Sequence, residues 1–210
     1  MGTPTVAGVR IPDTPLTRDA SALVAELGPD FVEEHSRRSH VFGALLGRAL
    51  GIDYDEELLY LCVILHDLGV TDRFATGERL EVAGARAAAG FARDHGLPAE
   101  RAALLWDAVA LHASAGIADA KGGEVALTHF GVALDVIGLR HELLPSGALD
   151  DVVAAFPRRD FKHAFHGLLV KQAAQNPMAY AFTWFHESVR AHVAPLPTFD
   201  EAFFNAPFAE

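Results

Sequence analysis

Residues 61–74 read LCVILHDLGVTDRF, and eight of the first ten are apolar or glycine. A run of this kind belongs in a core, yet His66 and Asp67 stand side by side within it. Burying an imidazole next to a carboxylate is costly unless both find partners. Whatever fold this chain adopts must therefore bring compensating groups to that pair. Cys62, four residues before His66, is the single cysteine, so no disulfide forms within the chain. In such a run it reads as a small buried hydrophobe.

Around this stretch, apolar side chains recur at helical spacing, and glycine and proline punctuate them. Residues 1–16, with Pro4, Pro12 and Pro15, read as an extended arm. Thr17 is expected to cap a first helix that runs to about Leu27 and stops at Gly28-Pro29. A second helix runs from Asp30 to a stop at Gly51, with Phe31, His35, Arg38 and Phe42 at helical spacing. Asp55-Glu56-Glu57 open a third, their charges suiting the positive end of a helix, and it is expected to reach about Leu68 before Gly69. Further helices are expected near 78–95, 98–112, 124–140, 148–155, 158–174 and 177–192. Tyr180 and Trp184, four residues apart, read there as a core stripe. A tail carrying Phe199, Phe203, Phe204 and Phe208 is expected to dock on the domain, with a subunit interface, and so a homo-oligomer, as second choice. No stretch shows β alternation and no repeat or long linker divides the chain, so the expected fold is all-α, a single helical bundle over 1–210.

Half of the 210 residues are hydrophobic, enough for a sizeable core. The net charge of −11 argues against a nucleic-acid partner, because phosphate neutralisation needs clustered Lys and Arg. It argues more weakly against a highly phosphorylated substrate. The start has no basic segment followed by an apolar one, and no 18-residue apolar stretch follows, so no membrane partner and a cytoplasmic location are expected.

There are eleven histidines, and the question is which of them converge. Adjacent residues on a helix point about 100° apart, so His66 and Asp67 bind one ion only if it lies between them near a helix end. Other helices must then supply the remaining ligands. His35 is placed to do so, and Asp135 is a carboxylate on the apolar face made by Val132, Leu134, Val136, Ile137 and Leu139. Two imidazoles and two carboxylates suit Zn²⁺, Fe²⁺ or Mn²⁺ with open positions for water. The alternative is a set of separately satisfied core polar groups.

The order His…His-Asp…Asp resembles the HD-domain superfamily of metal-dependent helical enzymes. His35-Ser36-Arg37-Arg38 is similar to its first motif, VILHDLG at 63–69 to its second, and Asp135 to its late isolated aspartate. The resemblance spans 35–135, about half of the chain. RIPDTPL, HSRRSHVFGALLG, DEELLYLCVILHDLGVTDRF, RLEVAGARAA, WDAVALHASAGIA and GVALDVIG extend it to the cyanamide hydratase-like branch, whose members use zinc to add water to the nitrile of cyanamide, giving urea. Two features depart from that branch. Arg73-Phe74 and Arg79-Leu80-Glu81-Val82 are separate segments here, and His40 stands where an aromatic residue is usual.

The resemblance implies a single HD-domain bundle, with the arm at 1–16, a metal-binding core at 17–140, and C-terminal helices and the Phe-rich tail at 141–210. It implies one Zn²⁺ (with Fe²⁺ or Mn²⁺ as alternatives) held by His35, His66, Asp67 and Asp135, and one ion per chain rather than two. Such an ion lowers the pKa of a bound water from about 16 toward 7, giving hydroxide at neutral pH. Asp67 then doubles as ligand and hydrogen-bond partner of the water, and His112, with an ordinary pKa near 6.5, is the expected proton donor. The alternative for His112 is a helix cap. Thr71 and Phe74 are expected to line a pocket for a small neutral nitrile-like substrate, or else to cap a turn and pack in the core. Ser114 and Ile117 are expected as another wall, or as a plain loop. Arg38 is expected in a structural ion pair near His35.

His129 lies roughly 120° from the Asp135 face, so a second metal would need it together with His112. His40, at a 140° offset from His35, is not expected as a ligand. His163, His166, His186 and His192 read as surface residues. A metal-dependent phosphohydrolase is the main alternative activity; it needs cations to grip phosphate, and near the His-Asp pair there are only Arg73, Arg79 and Lys121. A di-iron oxygenase, requiring His112 and His129 as ligands, and a non-catalytic binding protein with a vestigial site are the others.

Overall fold

A short hairpin opens the computed structural model, which describes residues 5–193 and 196–207. β1 (Thr5–Val6) pairs antiparallel with β2 (Val9–Arg10) around Ala7-Gly8, both with positive φ, so the arm is folded rather than simply extended. α1 (Pro15–Leu27) starts earlier than expected, because Thr14 and not Thr17 is its cap. Thr14 Oγ1 accepts from the Thr17 N–H at 3.2 Å, and Thr17 Oγ1 accepts from the Thr14 N–H at 2.9 Å. Pro15 suits the first helical position, where an N–H would have no partner.

α2 (Asp30–Leu50) ends at Gly51 in the left-handed region, φ 66°, as glycine there permits. α3 (Glu56–Ile64) is capped by Asp55 Oδ1 on the Leu58 N–H at 2.9 Å and ends four residues before the expected Leu68. The chain then tightens. Leu68 N–H bonds to Leu65 C=O and Val70 N–H to Asp67 C=O, giving a 3₁₀ turn over Leu68–Val70. His66 and Asp67 thus sit in a turn between two helices, not on one. Gly69 explains the tightness: a Cβ there would overlap the Leu80 carbonyl at the start of α4 (Leu80–Asp94).

α5 (Ala99–Leu111) is followed by a short helix that was not expected, α6 (Ile117–Lys121). α7 (Gly123–Ile137) stops at Gly138, φ 75°, three residues short of the expected end. α8 (Ala148–Ala155) and α9 (Phe161–Gln175) follow. The helix expected over 177–192 is broken into a 3₁₀ turn, Pro177–Tyr180, an irregular stretch with Phe182 at φ 58°, and α10 (His186–Arg190). α11 (Phe199–Phe204) is capped by Thr198 and Glu201.

The architecture is an all-α single-domain bundle. α2 and α7 lie against each other at its centre, and α1, α3, α4 and α5 share one apolar cluster with Leu65 and Leu68. α2, α3, α7 and α8 enclose a second. A third joins Phe161, Phe165 and Leu169 of α9 to Val70 and Leu80. The turn carrying His66 and Asp67 lies where the three meet. The tail departs from expectation: Phe199, Phe203 and Phe204 are exposed, stacking on one another rather than docking on the domain, and Phe208 lies outside the described residues. Trp184 is half exposed, not a core residue, while Tyr180 is buried. No helix among the described residues is long and apolar enough to cross a membrane.

Two outcomes follow from this packing. Gly131 of α7 faces Ser39 and Gly43 of α2 so closely that an added Cβ would overlap the Ser39 carbonyl oxygen. Gly131→Ala should force the helices apart and lower the unfolding free energy by about 1–3 kcal/mol, measured by denaturant titration. His40 is buried, and burial pushes its imidazole down to about 3. Between that value and about 6.5 the unfolded chain binds the proton and the folded chain does not, so stability falls as pH drops through this window. In His40→Leu the denaturation midpoint should fall less between pH 6.5 and 4 than in the native protein.

Candidate metal centre

His35 comes from the middle of α2, and His66 and Asp67 from the turn after α3; all three are buried. His66 Nε2 lies 3.2 Å from Asp67 Oδ2, and His35 Nε2 lies 3.8 Å from the same oxygen. One donor atom from each falls within 4.8 Å of the other two, a group able to hold a metal ion. Neighbouring atoms fix the tautomers. His66 Nδ1 is 2.6 Å from the Val63 carbonyl, which only accepts, so Nδ1 carries the hydrogen and Nε2 presents a lone pair. His35 Nδ1 donates in the same way to Asp135 Oδ2 at 2.6 Å.

His66 Nε2 and both Asp67 oxygens have no hydrogen-bond partner. Acceptors turned toward one another in a dry site repel unless a cation lies among them. Two imidazole nitrogens and a carboxylate are a donor set that suits Zn²⁺ and also Fe²⁺ or Mn²⁺. The residues present therefore fit such an ion.

Asp135 was expected as a fourth ligand, and the structure places it elsewhere. Its Oδ1 accepts from Arg38 Nε at 2.7 Å and Arg158 Nη1 at 2.8 Å; its Oδ2 accepts from Arg38 Nη2 at 2.8 Å and from His35 Nδ1. Both oxygens are thus engaged behind His35, on the side away from His66. Burial opposes the charge, yet the His35 and Arg38 hydrogen bonds keep the carboxyl below its usual range. A carboxylate on the far nitrogen of a ligating histidine fixes ring orientation and tautomer, the usual outer arrangement around a bound metal. Arg38 holds the expected ion pair, and Phe161 stacks on the His35 ring at 4.5 Å.

His112 follows α5, and its ring lies edge-on to His66 with centroids 4.9 Å apart. Its Nδ1 donates to the Val109 carbonyl at 2.7 Å, so it does cap its helix. Burial, helped by His66, pushes His112 down to about 4. At neutral pH it is uncharged and presents Nε2 as an acceptor, so its pKa is not the ordinary one expected and it can donate a proton only after taking one up.

These groups floor a cavity of about 150 Å³. Val132 and Val136 of α7 and Phe165 of α9 wall it, and Ile137, Trp184 and Phe185 lie at its outer edge. Sequence reasoning marked Val132, Val136 and Ile137 only as the apolar face around Asp135, which was the available signal. Nothing local pointed to Phe165, Trp184 or Phe185, which arrive from distant helices and a loop. The four expected substrate contacts are not brought here. Thr71 Oγ1 donates to the Leu68 carbonyl at 2.7 Å as a turn cap, and Phe74 packs beside α1 and α4 at a separate surface cavity. The Ser114 carbonyl accepts from the Ile117 and Ala118 N–H groups to start α6, and the Ile117 side chain is exposed.

The remaining histidines are accounted for individually. His129 is buried and donates from Nδ1 to the His112 carbonyl at 2.7 Å. His163 is exposed beside Asp160, and His166 meets His192 edge-on. His186, expected at the surface, is buried.

Zinc titration against a chromophoric chelator should separate the inner and outer roles. His66→Ala and Asp67→Ala should lose tight binding. Asp135→Asn should keep one ion per chain and weaken it by about 10–100-fold; complete loss there would restore Asp135 as a ligand.

Compared with known protein families and with curated proteins, the chain matches no family model and no curated sequence.

Proposed function

We propose that the protein is a metal-dependent hydratase that adds water to the nitrile of a small neutral substrate, cyanamide (giving urea) or a close relative. One observation supports this reading: unpartnered nitrogen and oxygen donors stand at the floor of a small apolar cavity whose lining, among the described residues, contains no lysine or arginine. The ordered likeness of His35, His66-Asp67 and Asp135 to HD-domain motifs supports it.

A divalent ion held by His35, His66 and Asp67 supplies Lewis acidity, bringing the pKa of water toward 7. The chain's own groups do the rest. Val132, Val136 and Phe165 keep bulk water from the reacting carbon, which strengthens every polar contact inside. His112 Nε2 accepts a proton from the attacking water, and the same nitrogen returns it to the nitrile nitrogen. Water and nitrile thereby become an imidic acid (isourea from cyanamide), and transfer of its remaining O–H proton to the same nitrogen gives the amide with no other reactant. Asp135, with Arg38 behind it, keeps the His35 ring in the one orientation that presents Nε2.

Phosphate-ester hydrolysis fits this cavity poorly. A phosphate dianion needs donors for its peripheral oxygens. Arg79 is paired with Glu81 at 2.7 Å, Lys121 with Asp107, and Arg73 lies over Phe74. None of the three lines the cavity.

Metal analysis of the purified protein, with urea release from cyanamide measured beside phosphate release from nucleotides, tests the reading. One zinc per chain and urea formation are expected, both abolished in His66→Ala. His112→Ala should keep the metal and lower kcat by about 10²–10⁴-fold. Two irons per chain, or phosphate release without urea, would sink the proposal.

A further inference from the structure

We infer that Trp184, which with Ile137 forms the exposed part of the cavity lining, is the specificity-determining residue that sets the upper size of what enters. The inference rests on the cavity described above being the substrate site. Trp184 is 48 % exposed and Ile137 60 % exposed, yet both line the cavity whose floor holds His35, His66 and Asp67. The inner side of Trp184 lies 6.0 Å from the buried His129 ring. It is therefore seated from within while its outer side borders the entrance.

The backbone holds it in that place. Residues 181–185 form an irregular strap between two fixed points, Tyr180 and His186, both buried. Tyr180 Oη donates to Gln172 Oε1 at 2.9 Å, tying one end to α9. Thr183 Oγ1 donates to the Tyr180 carbonyl at 2.8 Å and accepts from the Phe185 N–H at 3.2 Å, which rigidifies the turn under Trp184. Phe182 is held in the left-handed region at φ 58°, a conformation a bulky side chain rarely adopts. Strain of this kind persists only where surrounding contacts determine the backbone, and such contacts cluster at ligand clamps. Phe185 meets Phe165 edge-on at 6.4 Å, joining the strap to the cavity wall.

The volume states the consequence. An apolar cavity of about 150 Å³ is large enough to take up a benzene-sized molecule, so this one holds a single small ring and no more. Acetonitrile, cyanamide and acetamide fit well within that limit and one benzene ring marks it; a naphthalene carrying the same group exceeds it. Replacing the indole by a methyl group removes the wall on one side and opens the cavity to solvent.

The test reads binding, not turnover. The native 210-residue chain, Trp184→Ala, Trp184→Phe and Ile137→Trp are compared by ligand-observed NMR titration with acetonitrile, acetamide, 2-naphthonitrile and 2-naphthamide. The native protein should bind the two small probes saturably and exclude the two aromatic ones. Trp184→Ala should gain at least about tenfold in affinity for the aromatic pair, with Trp184→Phe between. Ile137→Trp, narrowing the mouth, should weaken even acetamide. An unchanged preference in Trp184→Ala, or no saturable binding of any probe to the native protein, overturns the inference. Size selection lost in Trp184→Ala alongside no urea from cyanamide would uphold the role of Trp184 and defeat only the hydratase reading.

Discussion

A single buried carboxylate, Asp135, organises the centre of this molecule. It receives His35 from α2, a two-point grip from Arg38 one turn further along α2, and Arg158 from the turn before α9. Arg38 extends the tie by donating from Nη1 to the Phe156 and Pro157 carbonyls. α2, α7 and the stretch 156–158 between α8 and α9 are thus joined through one side chain. Removing one partner of such a buried pair leaves an uncompensated charge, a loss of about 3–5 kcal/mol. The clamp can exist because Gly131 and Gly43 let α2 and α7 approach until their backbones touch, bringing Arg38 and Asp135 within direct reach. Helix spacing and site geometry are one constraint.

The His-Asp turn depends on a second close approach. Gly69 meets the Leu80 backbone, and a Cβ on Gly84 would lie 2.9 Å from the His66 carbonyl. With no side chains between, α4 seats against the turn and fixes the backbone of both residues. The Val63 carbonyl then takes the His66 Nδ1 hydrogen, and the lone pair at Nε2 has one direction left. Preorganisation here comes from backbone contact, which side-chain repacking cannot relax.

How much of this was legible follows from range. The helices were readable because their signals are local: Asp55-Glu56-Glu57 at the start of α3, Gly28 and Gly51 as stops. The break after Ile64 was not, because the residues around His66 continue the apolar run and only contact with Leu80 and Gly84 ends the helix. His35, His66 and Asp67 were found through the need of a buried pair for partners. Asp135 was found as a member of the same cluster and expected as a ligand, whereas it meets the back of the His35 ring. A spacing argument cannot tell a carboxylate facing the ligand side of a histidine from one facing its back; that depends on Arg38 and on Arg158, the latter 23 residues away. The cavity walls from Phe165, Trp184 and Phe185 carry no local signal at all, since apolar residues on a helix or loop look alike whether they face a core or a substrate.

The charges around the site bear on which chemistry it favours. Asp135 is offset by Arg38, and Arg158 adds one further positive charge behind His35. On the cavity side Asp67 is the one carboxylate. On the proposed reading, a divalent ion there would leave the site net positive within apolar walls, where charge is weakly screened. Such a field does little for an uncharged ground state and much for a transition state in which negative charge grows on nitrogen, the condition for raising kcat rather than merely binding. A phosphate ester would feel the same attraction before reacting, but its outer oxygens would meet Val132, Val136 and Phe165 in place of water and lose hydrogen bonds that nothing replaces. On the proposed reading, the lack of cationic side chains among the described lining residues disfavours it, while the nitrogen and oxygen donors at the floor suit a cation.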